Sequence, residues 1–412
     1  MCQSSILETM PDSAAALAPL LDTLRRAPDV EADNLSASDA TDRLLLDAAA
    51  EALDTQPQAR VLVIGDTHGA LTLGVSELGA TDVAVWQDPL VAELSLDANA
   101  RRWVAAGGRE PTYRHIALDP AEFAGFDLVL MQLPRSLSLL DALAGFVAAG
   151  AHPATRLVAG ARVKHMDLSM TRVLERHFAS VHASLARQKS RLLFAEGPRA
   201  GTATPAVQLV EQSQVDLGGS DPALVPLTIC AFPGGFAGAS LDIGTRVLLP
   251  HVAPAARAAV ERATAQQRQA RAIDLGCGTG VLAAVLARAS TELEVIATDQ
   301  MRTAAASTEA TIAANGLAEH VAVIRDNLLD AQPDASADLV VCNPPFHVGA
   351  AVHTGIAEAM FASAARVLRP GGQLLVVFNS HLRYRPTLQR VVGPTEQLDR
   401  DAKFTVTQTT RR

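Results

Sequence analysis

The sequence predicts an α/β protein with two open, mostly parallel sheets in tandem, the first a degenerate copy of the second. Three observations support this prediction. Apolar strand-like runs alternate with helical runs in both halves, a glycine-containing turn follows one strand in each half, and the halves share a common spacing. With 412 residues, of which 49% are hydrophobic, the chain can form two or three domains with separate cores.

The common spacing indicates an internal duplication. An apolar run at 61–64 leads into a glycine turn, and a second run at 272–275 does the same. Motif positions that keep register over about 70 residues predict two copies of one fold. The pairs separated by 211 residues are Gly65 and Gly276, Gly69 and Gly280, Gln132 and Asn343, and Pro134 and Pro345, while 83–87 and 295–299 differ by 212.

The first copy, which we place at residues 1–199, lacks the polar groups of the second. We therefore expect a non-catalytic domain that binds the substrate or acts as a scaffold. Its last segment, 156–199, has 9 basic and 3 acidic residues in a chain of net charge −9, so it is a candidate polyanion-binding surface. The alternative is that these side chains only solvate helix faces. Val63, Thr67, Gln87, Leu133 and Arg135 stand where the second copy has Asp274, Gly278, Asp299, Pro344 and Phe346.

The segment between the copies is rich in Gly, Pro, Ser and Thr over 197–226, which predicts irregular backbone and added strands. We place this linker at 200–231 and the second domain at 232–412. In that domain the last two predicted strands form an antiparallel pair. The pattern predicts strands at 272–275, 295–298, 321–324, 339–342, 373–378 and 403–408, and helices from 281, at 302–315 and at 355–367.

Asn343-Pro344-Pro345-Phe346 follows a predicted strand. It therefore lies at the carboxyl ends of the strands, where open α/β sheets bind ligands. Prolines fix φ and donate no N–H, so the Asn343 carboxamide oxygen and the Pro344 carbonyl can be rigid acceptors. Two acceptors that grip the hydrogens of a planar amine favour a pyramidal nitrogen whose lone pair faces an electrophilic methyl group. Phe346 offers a face on which a base can stack. This arrangement predicts amine methylation without a general base.

The glycine turn and two carboxylates predict a cofactor site. Gly276, Gly278 and Gly280 allow close backbone approach, although nicotinamide enzymes use similar turns. Asp274 can attract the positive end of a cofactor, and Asp299, which ends the next strand, can accept from ribose hydroxyls. Asp326 and its neighbour Asn327 follow the third strand, where they can accept from an adenine amine or form an ordinary turn.

Together with FAGASLDIGTRVLL at 236–249 and NSHLRY at 379–384, these motifs resemble the bacterial ribosomal RNA guanine-N2 methyltransferases. That family uses S-adenosylmethionine and has two tandem class I methyltransferase, Rossmann-like domains. The NSHLRY motif and the segment 403–406 resemble the large-subunit (23S) branch more than the 16S branch. The resemblance covers nearly the whole chain and implies methylation of a guanosine N2 amine in ribosomal RNA.

The resemblance implies that Asp242 and Thr245 line the methionine end of the cofactor, although either side chain can instead cap a helix. The basic loop after the strand 373–378 fits RNA binding, and Tyr384 within it can also be a core residue. We predict catalytic roles for Asn343, Pro344, Pro345 and Phe346. We predict cofactor contacts for Asp242, Thr245, Asp274, Gly276, Cys277, Gly278, Gly280, Asp299, Gln300, Asp326, Asn327 and Asn343. We predict substrate contacts for Phe346, His347, His381, Arg383, Arg385, Lys164, Arg187, Lys189 and Arg191.

Composition constrains the setting. The four cysteines have no metal-binding spacing, so we expect no metal and a reducing cytoplasm, and no apolar run has the length of a membrane span. The fused duplicate favours a monomer. Two other functions fit part of the sequence. Asn-Pro-Pro followed by an aromatic residue also serves methyltransferases that act on DNA adenine N6 or protein glutamine N5. A non-catalytic RNA-binding assembly protein is the third interpretation, which the intact Asn343 motif and the acidic pair Asp274 and Asp299 disfavour.

Overall fold

The computed structural model describes residues 17–32, 34–199, 210–345 and 352–412. The chain forms two compact units, one over residues 1–209 and one over 210–412. Among the described helices, none has the length and hydropathy that a membrane span requires. The same residues hold no group of three His, Cys, Asp or Glu side chains arranged around a metal position.

The first unit contains a seven-stranded sheet of order β3-β2-β1-β4-β5-β7-β6. The first five strands are parallel, and the last two join the edge as an antiparallel hairpin. The strands are β1 Val61–Ile64, β2 Val83–Trp86, β3 Arg114–His115, β4 Leu128–Gln132, β5 Arg156–Arg162, β6 Phe178–Ala183 and β7 Ser190–Pro198, and the helices are α1 Ala18–Thr23, α2 Ala40–Thr55, α3 Ala70–Glu77, α4 Leu90–Ala105, α5 Leu137–Gly150 and α6 Leu168–His177.

The second unit repeats this plan in the order β12-β11-β10-β13-β14-β16-β15, and adds an antiparallel pair, β8 and β9, ahead of it. Its strands are β8 Glu211–Val215, β9 Leu227–Ala231, β10 Ala270–Leu275, β11 Leu293–Asp299, β12 Val321–Arg325, β13 Ala337–Cys342, β14 Leu368–Asn379, β15 Thr395–Arg400 and β16 Phe404–Thr410, and its helices are α7 Ile243–Ala265, α8 Val281–Ala289, α9 Arg302–Ala314, α10 Val352–Val367 and α11 Arg385–Val391.

The strand register confirms the predicted duplication. In the first sheet Ile64 lies beside Met131, and in the second Leu275 lies beside Cys342, so both partners are displaced by 211 residues. On the other side of β1 and β10 the offset becomes 212, again as predicted. The predicted α/β class and the tandem Rossmann-like sheets are therefore confirmed.

Strand β13 shows why the central strands read as continuous apolar runs. Leu339 and Val341 join the core cluster that includes residues of α7 and α8, whereas Val340 and Cys342 join the cluster that includes residues of α10 and α11. Both faces of the sheet are therefore covered, and every residue of β13 is buried. A shift of β13 along its axis would bury Asn343, which follows the strand, so the burial of β13 fixes where Asn343 leaves the sheet.

The predicted antiparallel pairing of the last two predicted strands is confirmed by β14 and β16. The sequence did not predict β15, an edge strand that pairs with β16. Its sequence, TEQLDR, is mostly exposed and lacks the apolar alternation that predicts a strand. The helix expected from residue 355 begins three residues earlier, at Val352.

Candidate active site

The glycine turn after β10 provides both space and close packing. Gly278 has φ +56°, and a Cβ built on it would meet no atom within 4 Å. Gly280, with φ +79°, begins α8, and its Cβ would lie 2.8 Å from Cγ2 of Thr308. Glycine at 280 therefore lets α8 and α9 pack together, whereas glycine at 278 keeps the backbone open to a ligand.

Asp274 is a buried carboxylate that is only half satisfied. Its Oδ2 accepts a hydrogen bond from the Ala283 N–H at 2.9 Å, whereas no described residue donates to its Oδ1. Burial, with a smaller contribution from the negative charge of Asp299, raises the pKa of the Asp274 carboxyl to about 7. An acceptor left unsatisfied in the interior is costly, so the site favours a ligand that brings a donor or a positive charge.

Asp299 ends β11 and lies between the glycine turn and α9. One carboxylate oxygen accepts from the Gly278 N–H at 3.1 Å and the other from the Met301 N–H at 2.9 Å. These bonds fix the position of the carboxylate, which is only partly buried. The neighbouring Gln300 has a side-chain oxygen that is shielded from solvent and receives no donor from the described residues.

Asp326 shows the turn chemistry that was one of its two interpretations. Its carboxylate accepts from the Ala331 N–H, with both oxygens at 3.2 Å, and burial raises its pKa. Leu328 and Leu329 follow with φ values of +53° and +63°, so the turn beside the site is strained. Contact between Asp326 or the half-buried Asn327 and an adenine ring stays a prediction.

Asn343 leaves β13 with its carboxamide held on one side only. Its Nδ2 donates to Asp242 Oδ2 at 2.9 Å and to Thr245 Oγ1 at 3.0 Å. Its Oδ1 is shielded from solvent and has no donor among the described residues. Asp242 also accepts from the Thr245 N–H at 3.0 Å, so it is the N-cap of α7, as its second interpretation stated. The cofactor contacts expected of these two residues stay predictions.

Two other predicted site residues, Pro344 and Cys277, are buried, whereas Pro345 is exposed. Cys277 uses its N–H on the Thr298 carbonyl at 2.9 Å, and its carbonyl accepts from the Gly280 N–H at 2.8 Å. Its thiol, whose pKa burial raises well above the ordinary value, accepts from the Thr308 hydroxyl. Cys277 can thus offer a ligand only apolar contact. Phe346 and His347 lie outside the described residues, so their roles stay predictions.

The loop after β14 lies at the same sheet edge as Asn343, because β13 and β14 are parallel neighbours. His381 and Arg383 are exposed there. Arg385 is also exposed, and its guanidinium donates to the Thr395 carbonyl at 3.3 Å. Tyr384 is only 4% exposed and packs against two phenylalanine rings, so its core interpretation is the correct one. The predicted RNA contacts of the basic side chains stay predictions.

In the first unit the corresponding site is filled by its own side chains. Gln87, the counterpart of Asp299, is buried and donates to the Asp66 backbone carbonyl. We expected no carboxylate here, and that expectation was wrong. Asp66 accepts from the Thr72 N–H at 2.8 Å and from the Thr72 hydroxyl at 2.8 Å, and one more donor comes from Gly69. Thr72 is the counterpart of Ala283, so a carboxylate from another chain position caps the same helix.

The predicted polyanion-binding residues of the first unit differ in their environments. Lys164 and Lys189 are exposed and adjacent, because the Val163 N–H donates to the Lys189 carbonyl at 2.9 Å. Arg187 is exposed but lies 3.3 Å from the buried carboxylate of Asp47, and Arg191 is half-buried. Arg135, which follows β4, was not among the predicted polyanion-binding residues. The pKa of His165 is lowered by desolvation and by the charges of Arg135, Lys164 and Arg162, so these cations lie close together.

Comparison with known proteins covers both units. The model for the methyltransferase small domain matches residues 226–408, and the RLMG N-terminal domain matches 16–199. Ribosomal RNA large subunit methyltransferase G of Streptomyces coelicolor is 34% identical over 386 residues, which cover 93% of this chain and 96% of that protein. The protein of the same name from Pseudomonas aeruginosa is 34% identical over 388 residues, with the same coverage.

A solved structure with a similar fold aligns with most of this chain. It is a T. thermophilus 16S rRNA N2 methyltransferase in complex with AdoMet and guanosine, with a TM-score of 0.69 and 23% identity. The match covers 91% of this chain and 92% of that one. At this level of identity the likeness supports the fold, with two methyltransferase-like domains in one chain.

Proposed function

The chain belongs to the ribosomal RNA large subunit methyltransferase G family, and from this membership we propose that it methylates the exocyclic N2 amine of a guanosine in 23S ribosomal RNA, with S-adenosylmethionine as methyl donor. The observation that carries the chemistry is the Asn343 carboxamide, whose nitrogen is bound to Asp242 and Thr245 while its oxygen has no donor among the residues that the structure describes. An exocyclic amine brings the hydrogen that this oxygen lacks.

The residues present fit S-adenosylmethionine. The free acceptor of Asp274 suits the cationic methionyl end, and the open space at Gly278 suits a ligand that lies against the turn. Asp299, whose carboxylate is held at the end of β11 by the Gly278 and Met301 N–H groups, suits the ribose hydroxyls as donors. Gln300, Asp326 and Asn327 lie on the adjacent strand ends, where we place the adenine ring. Bound there, the cofactor supplies an electrophilic methyl group on a sulfonium.

The residues of the chain then act on the amine. Asn343 Oδ1 accepts one amine hydrogen and the Pro344 carbonyl accepts the other, which draws the nitrogen out of conjugation with the base. Pro344 has no N–H and a fixed φ, so its carbonyl is pre-oriented. After the nitrogen has gained the methyl group it carries an extra proton, which is acidic enough to pass to water. No side chain is needed as general base in this scheme.

We propose RNA as the substrate in preference to DNA adenine or protein glutamine. The match to the family includes the N-terminal domain at 16–199 as well as the catalytic domain, and the two relatives named ribosomal RNA large subunit methyltransferase G align over 93% of this chain. The intact Asp274, Asp299 and Asn343 favour an enzyme over a non-catalytic assembly protein. We further propose that the chain acts as a monomer in the cytoplasm, which sedimentation analysis and cell fractionation would test.

We propose that each unit contributes a phosphate-binding edge. In the second unit this is the loop with His381 and Arg383, which follows the strand beside Asn343. In the first unit it is the group Arg135, Lys164 and Lys189, at the carboxyl ends of β4 and β5 and in the β6–β7 turn. The degenerate domain thus provides RNA affinity and no chemistry, and its proposed bounds are 1–199.

Ribosomal RNA from a strain with the gene and from one without it would test the function. The 23S RNA of the deletion strain should lack one N2-methylguanosine, which nucleoside mass spectrometry and fragment mapping would locate. A plasmid copy should restore the modification, and an Asn343→Ala copy should not. Identical 23S modification in both strains, or a loss confined to 16S RNA, would contradict the proposed function.

A further inference from the structure

We infer that Asp242, together with Thr245, is a positioning residue that orients the Asn343 carboxamide for the amine. The inference rests on the proposed function, and it gives Asp242 a role different from the cofactor contact that the sequence predicted. Asp242 lies 101 residues before Asn343 in the chain, and α7 brings its side chain to the end of β13.

The two partners determine which way the amide faces. A carboxylate can only accept, so the Asn343 atom bonded to Asp242 Oδ2 must be the NH2 group and not the oxygen. The Thr245 hydroxyl at 3.0 Å takes the second N–H. Rotation of the amide by 180° would place its oxygen against the Asp242 carboxylate, which cannot donate, so the Asp242 contact fixes the orientation. Asn343 Oδ1 is therefore held as the acceptor on the other side.

The N-terminal copy shows that this contact belongs to the fold and does not require a cofactor. Gln132, the counterpart of Asn343, donates through Nε2 to Asp42 Oδ1 at 2.6 Å, and Asp42 lies in the first turn of α2. That copy lacks counterparts of the two carboxylates proposed to bind the cofactor. The carboxamide at the end of β4 nevertheless binds an aspartate near the start of α2, the helix that precedes β1. Asp42 thus binds the Gln132 carboxamide in a copy that has no counterparts of Asp274 and Asp299.

The space around the Asn343 oxygen is narrow. A Cβ on Gly244 would lie 3.0 Å from Asp242 Oδ2 and 3.4 Å from Asn343 Oδ1. Glycine at 244 therefore leaves room for the carboxamide beside the start of α7. Since a misplacement of about 1 Å at a reacting centre can cost about 10²-fold in rate, loss of the Asp242 contact should affect turnover more than binding.

The test separates amide positioning from cofactor binding. Asp242→Ala should lower kcat about 10- to 100-fold on 23S RNA, whereas the Kd for S-adenosylmethionine, measured by calorimetry, should change less than about twofold. Asp242→Asn keeps an acceptor oxygen and a good N-cap, so it should restore most of kcat. An ionic contact with the cofactor predicts the reverse, with a weakened Kd in both variants. Thr245→Val should lower kcat, and Thr245→Ser should not.

A double-mutant cycle provides the second criterion. If Asp242 acts through Asn343, then Asp242→Ala should cause no further loss of kcat in the Asn343→Ala protein. Ser136→Ala, which removes the N-cap of α5, is the control for lost capping and should leave kcat per folded chain unchanged. Additive losses in the cycle, or wild-type kcat in Asp242→Ala, would overturn the inference.

A readout without substrate keeps the inference independent of the proposed function. Both Asn343 side-chain N–H protons should exchange slowly in NMR spectra of the wild type, and faster in Asp242→Ala and Thr245→Val. Equal exchange in all three proteins would refute the positioning role. If exchange is slow in the wild type and faster in the two variants, but the wild type methylates no guanosine, the proposed function fails and the positioning inference stands.

Discussion

Cofactor affinity should depend on pH through Asp274. Burial raises the pKa of its carboxyl to about 7, and the oxygen that would meet the cationic end of the cofactor has no other donor among the described residues. At pH 6 about 10% of the free protein carries the ionised carboxylate, and at pH 8 about 90% does. If only the ionised form binds well, Kd should be about tenfold weaker at pH 6 than at pH 8, a difference of about 1.4 kcal/mol.

Calorimetry in buffers of different ionisation enthalpy would measure both Kd and the protons released. Binding at pH 6 should release close to one proton from Asp274, and almost none at pH 8. The cofactor's own amine also titrates near pH 8, so the informative quantity is the difference between wild type and Asp274→Asn, which keeps the α8 cap and cannot titrate. A wild type with the same pH dependence as the variant would refute the role given to Asp274.

The same carboxyl affects folding with the opposite trend. Its pKa is higher in the folded protein than in the unfolded chain, so its contribution to stability is complete below about pH 4 and is lost as the pH rises through about 7. Cofactor binding at high pH offsets this loss. Thermal unfolding with and without S-adenosylmethionine should therefore show a larger ligand-induced shift in Tm at pH 8 than at pH 6.

Asn343→Ala should lower turnover by roughly 10² to 10³ with little change in cofactor Kd, and full turnover in a folded variant would contradict the mechanism. Asp299→Ala should weaken cofactor binding by about 1.5–3 kcal/mol, with Asp299→Asn as the milder control, and calorimetry showing unchanged affinity would remove its ribose role. Titration should give one cofactor site per chain, and two sites would contradict a degenerate first domain. Neutralising four basic residues should lower the salt slope of RNA affinity by up to about three phosphate contacts, because one of them is already paired with Asp47, and an unaltered slope would move the RNA surface to the second unit. The four residues are Lys164, Arg187, Lys189 and Arg191.

Local patterns and fixed offsets carried most of what the sequence could predict. Buried parallel strands must be apolar on both faces, so runs such as 339–342 stand out, and motif residues at their carboxyl ends share one sheet edge. The pairing of Asp242 with Asn343 was missed because it joins residues 101 positions apart, and no local pattern reports such a contact. The family resemblance predicted that Asp242 lies near the cofactor. Its hydrogen bond with the Asn343 amide is seen only in the structure.

The carboxylate of Asp66 was missed for a different reason. The comparison of the two halves matched residues at equal offsets, and Val63 at the position of Asp274 suggested that no acid remained. The physical requirement is an acceptor for the first turn of the helix, and a side chain three residues further on meets it as well. Matching positions therefore detected the loss of a residue but could not detect the replacement of its structural role.

Asp66 also makes it hard to build the acid of the second unit into the first. Val63→Asp, which places an acid at the counterpart of Asp274, would bring a second buried carboxylate to the Thr72 N–H that Asp66 already uses. Two like charges in a dry interior cannot both stay ionised, and one N–H cannot satisfy both. An acid at position 63 would need the removal of Asp66 in the same step. The residue that keeps this helix capped therefore disfavours an acid at the position that Asp274 holds in the second unit.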